Sequence, residues 1–308
     1  MEIAWLEDFM ALFETGHFSR AAERRNITQP AFSRRVRTLE DWVGTSLFNR
    51  DTHRVELTRA GEQFKPIAEE VLRLIYIGRE QAKNAAQSSA ETLHFASTHA
   101  LSVTFFPDWL RQIEDQTAIE AIVSLVADNM AGCERKILQG ESQFLLCHHH
   151  PSAMTALDPK QFRYLDIGED TLIPVSVPRS VGSSLPLHSL PGSIDAPVNC
   201  LAYSATSGMG RIVAATRSLD APPAWLTAVF TSHVATVLTA MARNGRGLAW
   251  LPLSLIDRHM VDGELVRAGQ EEWDIPITIR IFRPRLRQSP AAERFWNFLL
   301  GIYGSHSA

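Results

Sequence analysis

The sequence contains little cysteine, no long apolar run and no strong excess of charge. Only three cysteines occur in 308 residues, without close pairing: Cys133, Cys147 and Cys200. This number argues against a disulfide framework and favours a reducing compartment. No stretch of about 18 apolar residues occurs, which argues against a helical membrane span, and the first residues, MEIAWLEDFM, lack the basic segment and apolar run of a signal peptide. We therefore expect a cytoplasmic protein with no membrane partner.

Recognisable catalytic motifs are also missing. The sequence contains no G-x-S-x-G, no P-loop and no H-E-x-x-H motif, so hydrolase, nucleotidase or metalloprotease chemistry is not supported. We expect no enzymatic activity and no cofactor. The run Cys147-His148-His149-His150 has the residue types that bind zinc or copper. Adjacent side chains on an extended run point in alternating directions, and Pro151 follows, so we interpret this run as a surface loop and predict no metal site.

The segment FSRAAERRNITQPAFSRRVR, residues 18–37, predicts two short helices joined by a tight turn. Ser19 is placed to cap the first helix, and the turn falls at Arg25-Asn26-Ile27. Thr28 is placed to cap the second helix. Pro30 lies in its first turn, where the N–H that proline lacks has no intrahelical partner. The pattern is that of a helix-turn-helix.

The second helix of this segment has an apolar face and an opposite basic face, at the helical period of about 100° per residue. The apolar face contains Phe32, Val36, Leu39 and Val43, and the opposite face contains Pro30, Ser33, Arg34 and Arg37. Between His17 and Arg37, six arginines stand against one acid, a local charge of +5 in a chain whose net charge is −4. This excess indicates a nucleic-acid-binding surface. The alternative is a helical hairpin with a solvated charged face, and Arg20, Arg24 and Arg25 fit either interpretation.

A helix before this segment and a hairpin after it complete a winged helix-turn-helix. We predict the first helix from about Ile3 to Glu14, with Gly16 as its stop. Two strand-like runs, 47–50 and 54–57, are joined by the polar tip Asp51-Thr52-His53. In this fold the third helix enters the major groove, and the wing reaches a neighbouring minor groove or phosphates. The residues predicted to contact DNA are Gln29, Pro30, Ser33, Arg34, Arg37, Arg50 and Arg54.

A long helix follows the hairpin. Thr58 is placed to cap it, and Pro66 is expected to bend it near its start. Apolar and small residues recur with spacings of four and three, the pattern of a coiled-coil seam: Phe64, Ala68, Val71, Ile75, Gly78, Ala82 and Ala85. We predict a homodimer through this helix, because an apolar stripe must be buried somewhere. The alternative is that the helix packs against its own domain.

The rest of the chain alternates between strand and helix patterns, which predicts an α/β fold with a largely parallel sheet. Two such series with a return connection predict two lobes and a cleft. The predicted elements include a helix near 103–114, strands at 144–147, 162–166 and 172–177, and a closing helix from Pro290 to Tyr303. The Ser/Pro/Gly-rich segment 178–197 is predicted to be a surface loop. With 45% apolar residues, the chain has enough core material for this arrangement. The predicted domains are a winged helix-turn-helix at 1–58, a linker helix at 59–90, and an effector domain at 91–308, with lobe one at 91–166 and 268–308 and lobe two at 167–267.

The strings FSRAA, TQPAFSRRVRTLE, LFNR and LTRAG resemble the N-terminal region of LysR-type transcriptional regulators. The resemblance is close over about the first 65 residues, and the remaining chain fits the family's layout with weaker local identity. It implies a cytoplasmic regulator that binds double-stranded promoter DNA and responds to a small-molecule effector. It also implies a homodimer, commonly a homotetramer, and a two-lobed effector domain similar to periplasmic-binding-protein folds.

Open α/β sheets bind ligands beyond the carboxyl ends of their strands, where helix N-termini favour anions. This rule selects polar segments that follow predicted strands, and LysR-type regulators bind inducers at these positions. The selected effector-binding residues are Thr98, His99, Ala100, Ser102, Asp128, Ser204, Thr206 and Ser232. Such residues are also ordinary helix caps, so each has a purely structural alternative.

A finer resemblance concerns the strings THALSVTFFP, SGMGRIV, NGRGLAWLP and PAAERFW, which are similar to the hypochlorite-responsive branch of the LysR-type regulators. It implies signalling by methionine oxidation, with Met209 as the redox-sensing candidate. The segment Ser232-His233-Val234 lacks a methionine that this branch can carry. One alternative is a regulator of a metabolic operon with a small organic-anion inducer. A solute-binding protein or an enzyme built on the two-lobed domain is the alternative outside the regulator class.

Overall fold

The computed structural model describes residues 2–49, 55–86, 92–119, 121–219 and 223–304. The chain forms two compact units, Met1–Gln87 with Leu138–Glu141, and Ser88–Ile137 with Ser142–Ala308. Within the described ranges, no helix combines the length and the apolar character that a membrane crossing requires. The first unit contains the predicted DNA-binding segment, and the second contains most of the predicted effector domain.

Three helices of the first unit follow the predicted order. They are α1 (Ile3–Thr15), α2 (Phe18–Arg24) and α3 (Gln29–Val43). Gly16 ends α1 with φ 66°, a left-handed conformation that glycine adopts without strain. The three helices share one hydrophobic core, whose fully buried members include Phe9, Leu12, Ala21, Phe32, Val36 and Leu39. The core fixes α3 so that its other face stays outside.

The predicted helix caps are only partly correct. His17 precedes α2, and Ser19 lies within its first turn, so the prediction of a Ser19 cap is wrong. Thr28 does precede α3, but its side chain accepts no capping hydrogen bond. Asn26 turns the chain between the two helices with φ 54°, a conformation that asparagine adopts more readily than most residues. The turn therefore depends on the backbone of Asn26 more than on a hydroxyl cap.

A short antiparallel hairpin follows α3, as predicted for a wing. Its strands are β1 (Phe48–Asn49) and β2 (Glu56–Leu57). The predicted tip, 51–53, and the predicted DNA contacts Arg50 and Arg54 lie outside the described residues. The hairpin base is described, and the contribution of the wing to DNA binding stays a prediction.

The long helix α4 spans Arg59–Ala86. The Thr58 hydroxyl accepts a hydrogen bond from the Gly61 N–H at 3.1 Å. This bond satisfies one of the backbone donors that the first turn of a helix leaves free, and it confirms the predicted cap. Pro66 lies inside the helix, eight residues into the chain segment that begins at Arg59.

The predicted seam of α4 is only partly available to a partner. Of its predicted members, Ala68 is 1% exposed because it packs into the core of the first unit, and Phe64 and Val71 are partly buried against the same core. Leu72, which is not a predicted seam position, is 8% exposed in that core. The first half of the seam therefore follows the alternative interpretation, in which the helix packs against its own domain. The large apolar residues of α4 that remain exposed are Ile67, Leu74 and Ile75.

The second unit is an α/β domain. Its strands are β3 (Thr92–Thr98), β4 (Ile122–Asp128), β5 (Phe144–His149), β6 (Phe162–Ser176), β7 (Val198–Tyr203), β8 (Leu226–Ser232), β9 (Ala249–Pro252), β10 (Val266–Arg267) and β11 (Ile275–Pro284). Its helices are α5 (His99–Thr104), α6 (Phe106–Glu114), α7 (Met130–Leu138), α8 (Gly208–Leu219), α9 (Ala235–Arg243), α10 (Leu253–Val261) and α11 (Pro290–Tyr303). A short 3₁₀ turn at Glu271–Trp273 precedes β11.

Three elements differ from the sequence-based expectation. The single helix predicted near 103–114 is divided into α5 and α6 at Phe105. The two strands predicted between 162 and 177 form the one long strand β6. Helix α10 follows β9 directly, and the sequence pattern does not predict it. Segment 178–197 contains neither a helix nor a regular strand, in agreement with the predicted loop.

The main sheet is mixed, so the prediction of a largely parallel sheet is wrong. Its strand order is β10-β6-β11-β5-β3-β4, with β9 also paired to β6. Strand β3 runs parallel to β4 and β5, whereas β11, β9 and β10 are antiparallel to their partners. Strands β7 and β8 form a separate parallel pair. The long antiparallel strands β6 and β11 join the two parts of the domain.

Two hydrophobic cores define two lobes. The core of lobe one contains Phe95, Trp109, Phe144, Phe295 and Trp296. The core of lobe two contains Ile212, Leu238, Leu251 and Ile256, and also Trp273, Ile275 and Ile277. The last three lie within 268–308, which the sequence analysis places in lobe one. Strand β11 therefore enters lobe two at its start and lobe one after Ile277.

Candidate DNA-binding surface and effector cavity

Helix α3 presents the predicted DNA-contacting face to the outside. Phe32, Val36 and Leu39 are fully buried on one side. The predicted contacts Gln29, Pro30, Arg34 and Arg37 are exposed, and Ser33 is half-buried. The burial of the apolar side holds these polar residues on one helix face, which is the geometry that reading base edges in a major groove requires.

Acidic residues of α1 form ion pairs with three of the six arginines between residues 17 and 37. Arg24 pairs with Glu14 at 2.5 Å, Arg25 donates from Nε to Asp8 at 2.7 Å, and Arg35 lies 3.5 Å from Asp8. Arg20, Arg34 and Arg37 form no ion pair with any residue that the structure describes. The basic surface available to phosphate is therefore smaller than the charge count predicts. Arg25 is neither a solvated charge nor available to phosphate, the two roles considered for it in the sequence.

An ion-pair network inside the first unit was not predicted. Arg25 donates to Glu7 as well as to Asp8, whose side chain is fully buried, and the Tyr76 hydroxyl donates to Glu7. Burial of Tyr76, together with its hydrogen bond to the negative Glu7, raises the pKa of Tyr76 to about 12. The sequence signal was a pair of acids in the middle of the amphipathic α1. The network ties α1 and the end of α2 to α4.

Glu40 is a second buried acid that the sequence pattern did not single out. Its carboxylate accepts hydrogen bonds from the backbone N–H groups of Leu47 at 2.8 Å and Phe48 at 3.1 Å. Glu40 is 8% exposed. Hydrogen bonds from backbone N–H groups stabilise a buried carboxylate, so Glu40 fixes the start of the wing against α3.

A small cavity in the second unit lies where helices α5, α7, α8 and α9 begin. Four of the predicted effector residues line it: Thr98, His99, Ala100 and Asp128. The redox candidate Met209 also lines it, together with Asn129, Met130, His148, Ser207, Gly208, His233 and Ala235. Its volume of ≈ 20 Å³ corresponds to about one water-sized ligand. In this structure the cavity has no room for a metabolite.

The other four predicted effector residues do not line this cavity. The Ser102 hydroxyl donates to the His99 carbonyl at 2.8 Å. The hydroxyls of Ser204 and Thr206 bond to each other at 3.0 Å. The Ser232 hydroxyl accepts from the Val234 N–H at 3.1 Å. These bonds are local turn contacts, in agreement with the structural alternative for such residues.

Several polar atoms at the cavity are buried without a protein partner. The Thr98 hydroxyl and both ring nitrogens of His148 have no hydrogen bond to a described residue. The rings of His99 and His233 lie close together, with centroids 5.8 Å apart and planes tilted by 41°. Buried polar groups are almost always satisfied by protein, water or ligand. The Thr98 hydroxyl, on a residue that lines the cavity, therefore suits a small polar ligand.

His148 also lies beside a buried acid. Its Nε2 lies 3.5 Å from an Asp170 carboxylate oxygen, which is longer than a normal hydrogen bond. Burial opposes ionisation of Asp170, but His148 and the hydrogen bond from Ser254 outweigh it and lower the pKa of Asp170. Asp170 is therefore a charged group behind the cavity wall.

The interpretation of residues 147–150 as a surface loop is wrong. Strand β5 continues to His149, and Cys147 and His148 are 1% and 6% exposed. Burial raises the pKa of the Cys147 thiol above its usual range. In the part of the chain that the structure describes, no group of three metal-ligating side chains converges. The sequence therefore did not predict His148 as a cavity residue, because the predicted strand ended at Cys147, whereas β5 continues to His149.

Two methionines meet at the cavity. Met130 and Met209 are 5% and 7% exposed. A Cβ added to Gly208 would lie 3.3 Å from the Met130 Cβ, so the two helices approach closely at the first residue of α8, and a side chain there would require Met130 to shift. The cavity thus has two thioethers and several unpaired polar atoms in its wall.

A larger groove lies elsewhere on the second unit, at β6, β11 and α10. Its volume is ≈ 660 Å³, and its lining includes the carboxylates of Glu169, Asp170 and Asp257. This concentration of acids disfavours an organic anion, because like charges repel. The groove therefore does not provide the predicted organic-anion site.

A winged helix-turn-helix followed by a long helix and a two-lobed α/β domain defines the class of ligand-responsive transcription regulators. Residues 3–62 match the family described as the bacterial regulatory helix-turn-helix protein, lysR family, and residues 86–302 match the LysR substrate binding domain. The chain therefore belongs to the LysR family of DNA-binding transcriptional regulators. These matches confirm the resemblance of its sequence to LysR-type transcriptional regulators.

Three similar proteins span nearly the whole chain. The transcriptional regulator YjiE of Escherichia coli K12 is 31% identical over 97% of this chain and 94% of its own length. The full-length structure of HypT from Salmonella typhimurium, described as a hypochlorite-specific LysR-type regulator, is 30% identical, covers 98% of both chains and has a TM-score of 0.57. The structure of Vibrio fischeri DarR in complex with DNA is 31% identical, covers 97% of this chain and 98% of that chain, and has a TM-score of 0.56.

Proposed function

We propose that this regulator senses hypochlorite by oxidation of Met209. The observation that carries the proposal is the position of Met209 in the wall of a cavity that fits one water-sized molecule. Hypochlorous acid, with two heavy atoms, is much closer to this size than a metabolite is. The similarity to HypT, which is described as hypochlorite-specific, supports the same effector.

The proposed reaction is a two-electron oxidation of the thioether. Hypochlorous acid donates its oxygen to the Met209 sulfur, which becomes a sulfoxide, and the chlorine leaves as chloride with release of one proton. The sulfoxide oxygen is a strong hydrogen-bond acceptor. The Thr98 hydroxyl, which has no described hydrogen-bond partner, is a donor on the same cavity wall. Oxidation therefore exchanges an apolar wall group for a polar one.

The organic-anion alternative has weaker support. An inducer with several heavy atoms exceeds the ≈ 20 Å³ cavity, so the lobes would have to open before it could bind. A metabolite that binds would raise the thermal stability of the protein by an amount that depends on its concentration relative to Kd. A screen of small organic anions by thermal shift therefore tests this alternative in parallel.

The decisive experiment compares Met209→Leu with Met154→Leu in the full-length protein. Leucine has nearly the volume of methionine, and such exchanges usually cost less than about 1.5 kcal/mol. Met154 is 87% exposed, so it reacts with oxidant but lies outside the cavity at Met209. After treatment with stoichiometric hypochlorite, we expect wild type and Met154→Leu to carry sulfoxide at Met209 and to change their affinity for upstream DNA. Met209→Leu should lose this change, and a retained response would exclude Met209 as the sensor.

We also propose how the regulator engages DNA and its own copies. Helix α3 lies in the major groove of promoter DNA in the cytoplasm, with Gln29, Arg34 and Arg37 toward the bases and backbone. The exposed apolar residues of α4 form the homodimer seam, in place of the buried part of the predicted seam. Two such dimers form the tetramer that the family commonly adopts. The DNA-bound structure of the similar protein DarR supports the DNA-binding part of this proposal.

A further inference from the structure

Two helices from different lobes touch at the effector cavity. Helix α7, which joins β4 to β5 in lobe one, begins with Met130, and α8 of lobe two begins with Gly208. These two residues are in close contact, since a Cβ on Gly208 would lie 3.3 Å from the Met130 Cβ. The Ala131 N–H also donates to the Thr206 carbonyl at 3.4 Å. The start of each helix therefore lies at the contact between the lobes.

One helical turn further, the same two helices are joined by an ion pair. Arg211 donates from Nη1 to Oε1 of Glu134 and from Nη2 to Oε2, both at 2.9 Å. This arrangement is the bidentate geometry that gives an arginine–carboxylate pair its strength and direction. Residues three or four positions apart share one helix face. Met130 and Glu134 on α7 therefore face Gly208 and Arg211 on α8.

The carboxylate of Glu134 is held by further hydrogen bonds. Its Oε1 also accepts from the Thr155 hydroxyl at 3.1 Å and from the Ala156 N–H at 2.9 Å. Glu134 is 3% exposed. If α8 moved away from α7, this carboxylate would lose both hydrogen bonds from Arg211. Breaking a buried pair by removing one partner is strongly unfavourable, so the ion pair stabilises the arrangement in which α7 and α8 are in contact.

We propose that the Glu134–Arg211 ion pair is an interlobe latch that converts a change in the cavity into a change in lobe arrangement. Glu134 and Arg211 are positioning residues, which act through α7 and α8 and do not touch the oxidant. An oxygen atom added to Met209 pushes on the Met130–Gly208 contact, and the ion pair one turn away transmits the displacement. The proposal rests on the proposed function for the identity of the signal and on the contact geometry for the latch.

The test uses Arg211→Lys and Glu134→Gln in the full-length protein. Lysine keeps the charge of arginine but not its planar bidentate geometry, and glutamine keeps an acceptor for Thr155 and Ala156. The control is Arg243→Lys, the same exchange in the exposed Arg243–Glu264 pair within lobe two. Hydrogen exchange is measured by mass spectrometry without oxidant. Affinity for upstream DNA and sulfoxide at Met209 are measured before and after stoichiometric sodium hypochlorite.

We expect the amides at the starts of α7 and α8 to exchange at least about threefold faster in both latch variants, because local opening is easier. The control should exchange like wild type. The latch variants should form as much Met209 sulfoxide as wild type but should lose the accompanying change in DNA affinity, a readout that loss of stability alone does not move. Wild-type exchange, or a wild-type DNA response, in both latch variants overturns the proposal. If wild type forms no Met209 sulfoxide, the hypochlorite proposal fails, and hydrogen exchange alone decides on the latch.

Discussion

At the scale of single residues, ion pairs decide which arginines of the first unit remain available to DNA. Arg24, Arg25 and Arg35 are engaged by acids of α1, whereas Arg34 and Arg37 are exposed on α3 without an ion pair among the described residues. An arginine that already has a carboxylate partner releases fewer counterions when it approaches phosphate. The exposed arginines of α3 should therefore dominate the salt dependence of DNA binding.

Arg34→Ala should weaken binding to upstream DNA and lower the slope of log K against log salt by about one unit, the value for one lost phosphate contact. Arg258→Ala is the matched control, because it removes the same charge from an exposed position in lobe two. Fluorescence anisotropy across a salt series gives both slopes. Equal slopes for Arg34→Ala and Arg258→Ala would remove Arg34 from the DNA contacts.

At the scale of helices and strands, local signals predict an element well when its cap and its apolar stripe agree. Helix α11 begins after Ser289, whose hydroxyl accepts from the Ala292 N–H at 3.4 Å, and Pro290 occupies its first turn. The predicted range, Pro290 to Tyr303, is therefore correct. Helix α10 follows β9 directly, and Pro252 is both the last residue of the strand and the N-cap of the helix. The apolar pattern continues from the strand into the helix, so the boundary was not predicted. The end of β5 was missed because antiparallel pairing with β11, which lies far along the chain, extends it to His149.

Helix α4 has apolar residues on two sides, one buried in its own unit and one exposed. The periodicity of the sequence does not show which side is which. A 4,3 spacing shows that a helix has apolar positions, but the partner of each position depends on neighbours elsewhere in the chain. Leu72 packs into the core of the first unit, while Leu74, two positions later, is 43% exposed. The two leucines therefore have different expected roles.

Leu74→Asp should convert the homodimer to monomer with little loss of monomer stability, because it places a charge in the proposed seam. Leu72→Ala should leave the seam intact but lower the free energy of unfolding by about 2–5 kcal/mol, the range for a buried leucine. Val261→Asp, at a position 79% exposed in lobe two, controls for an added surface charge. Sedimentation velocity and urea unfolding separate these effects. A dimeric Leu74→Asp protein would rule out this face of α4 as the seam.

At the scale of the whole molecule, the sequence predicts the order of domains and the two-lobed class but not the direction of the central strands. Alternating strand and helix patterns are local, whereas the antiparallel pairing of β6 with β11 joins segments about a hundred residues apart. The cavity shows the same limit. The rule for helix N-termini selected Thr98, His99 and Asp128, which the structure places in the lining of one cavity; their binding of an effector stays a prediction. His148 reaches the same cavity only through the pairing of β5 in the mixed sheet.

The central claim is that the exposed basic face of α3 binds duplex DNA. The most direct measurement is the affinity of the full-length protein for its own upstream DNA and for a shuffled duplex of equal length, from low to physiological salt. We predict a steep salt dependence on both duplexes, at about 0.9 units of slope per neutralised phosphate, and a preference for the upstream duplex that persists at physiological salt. Equal affinity for the two duplexes, or no binding at low salt, would contradict the assignment of α3 as a recognition helix.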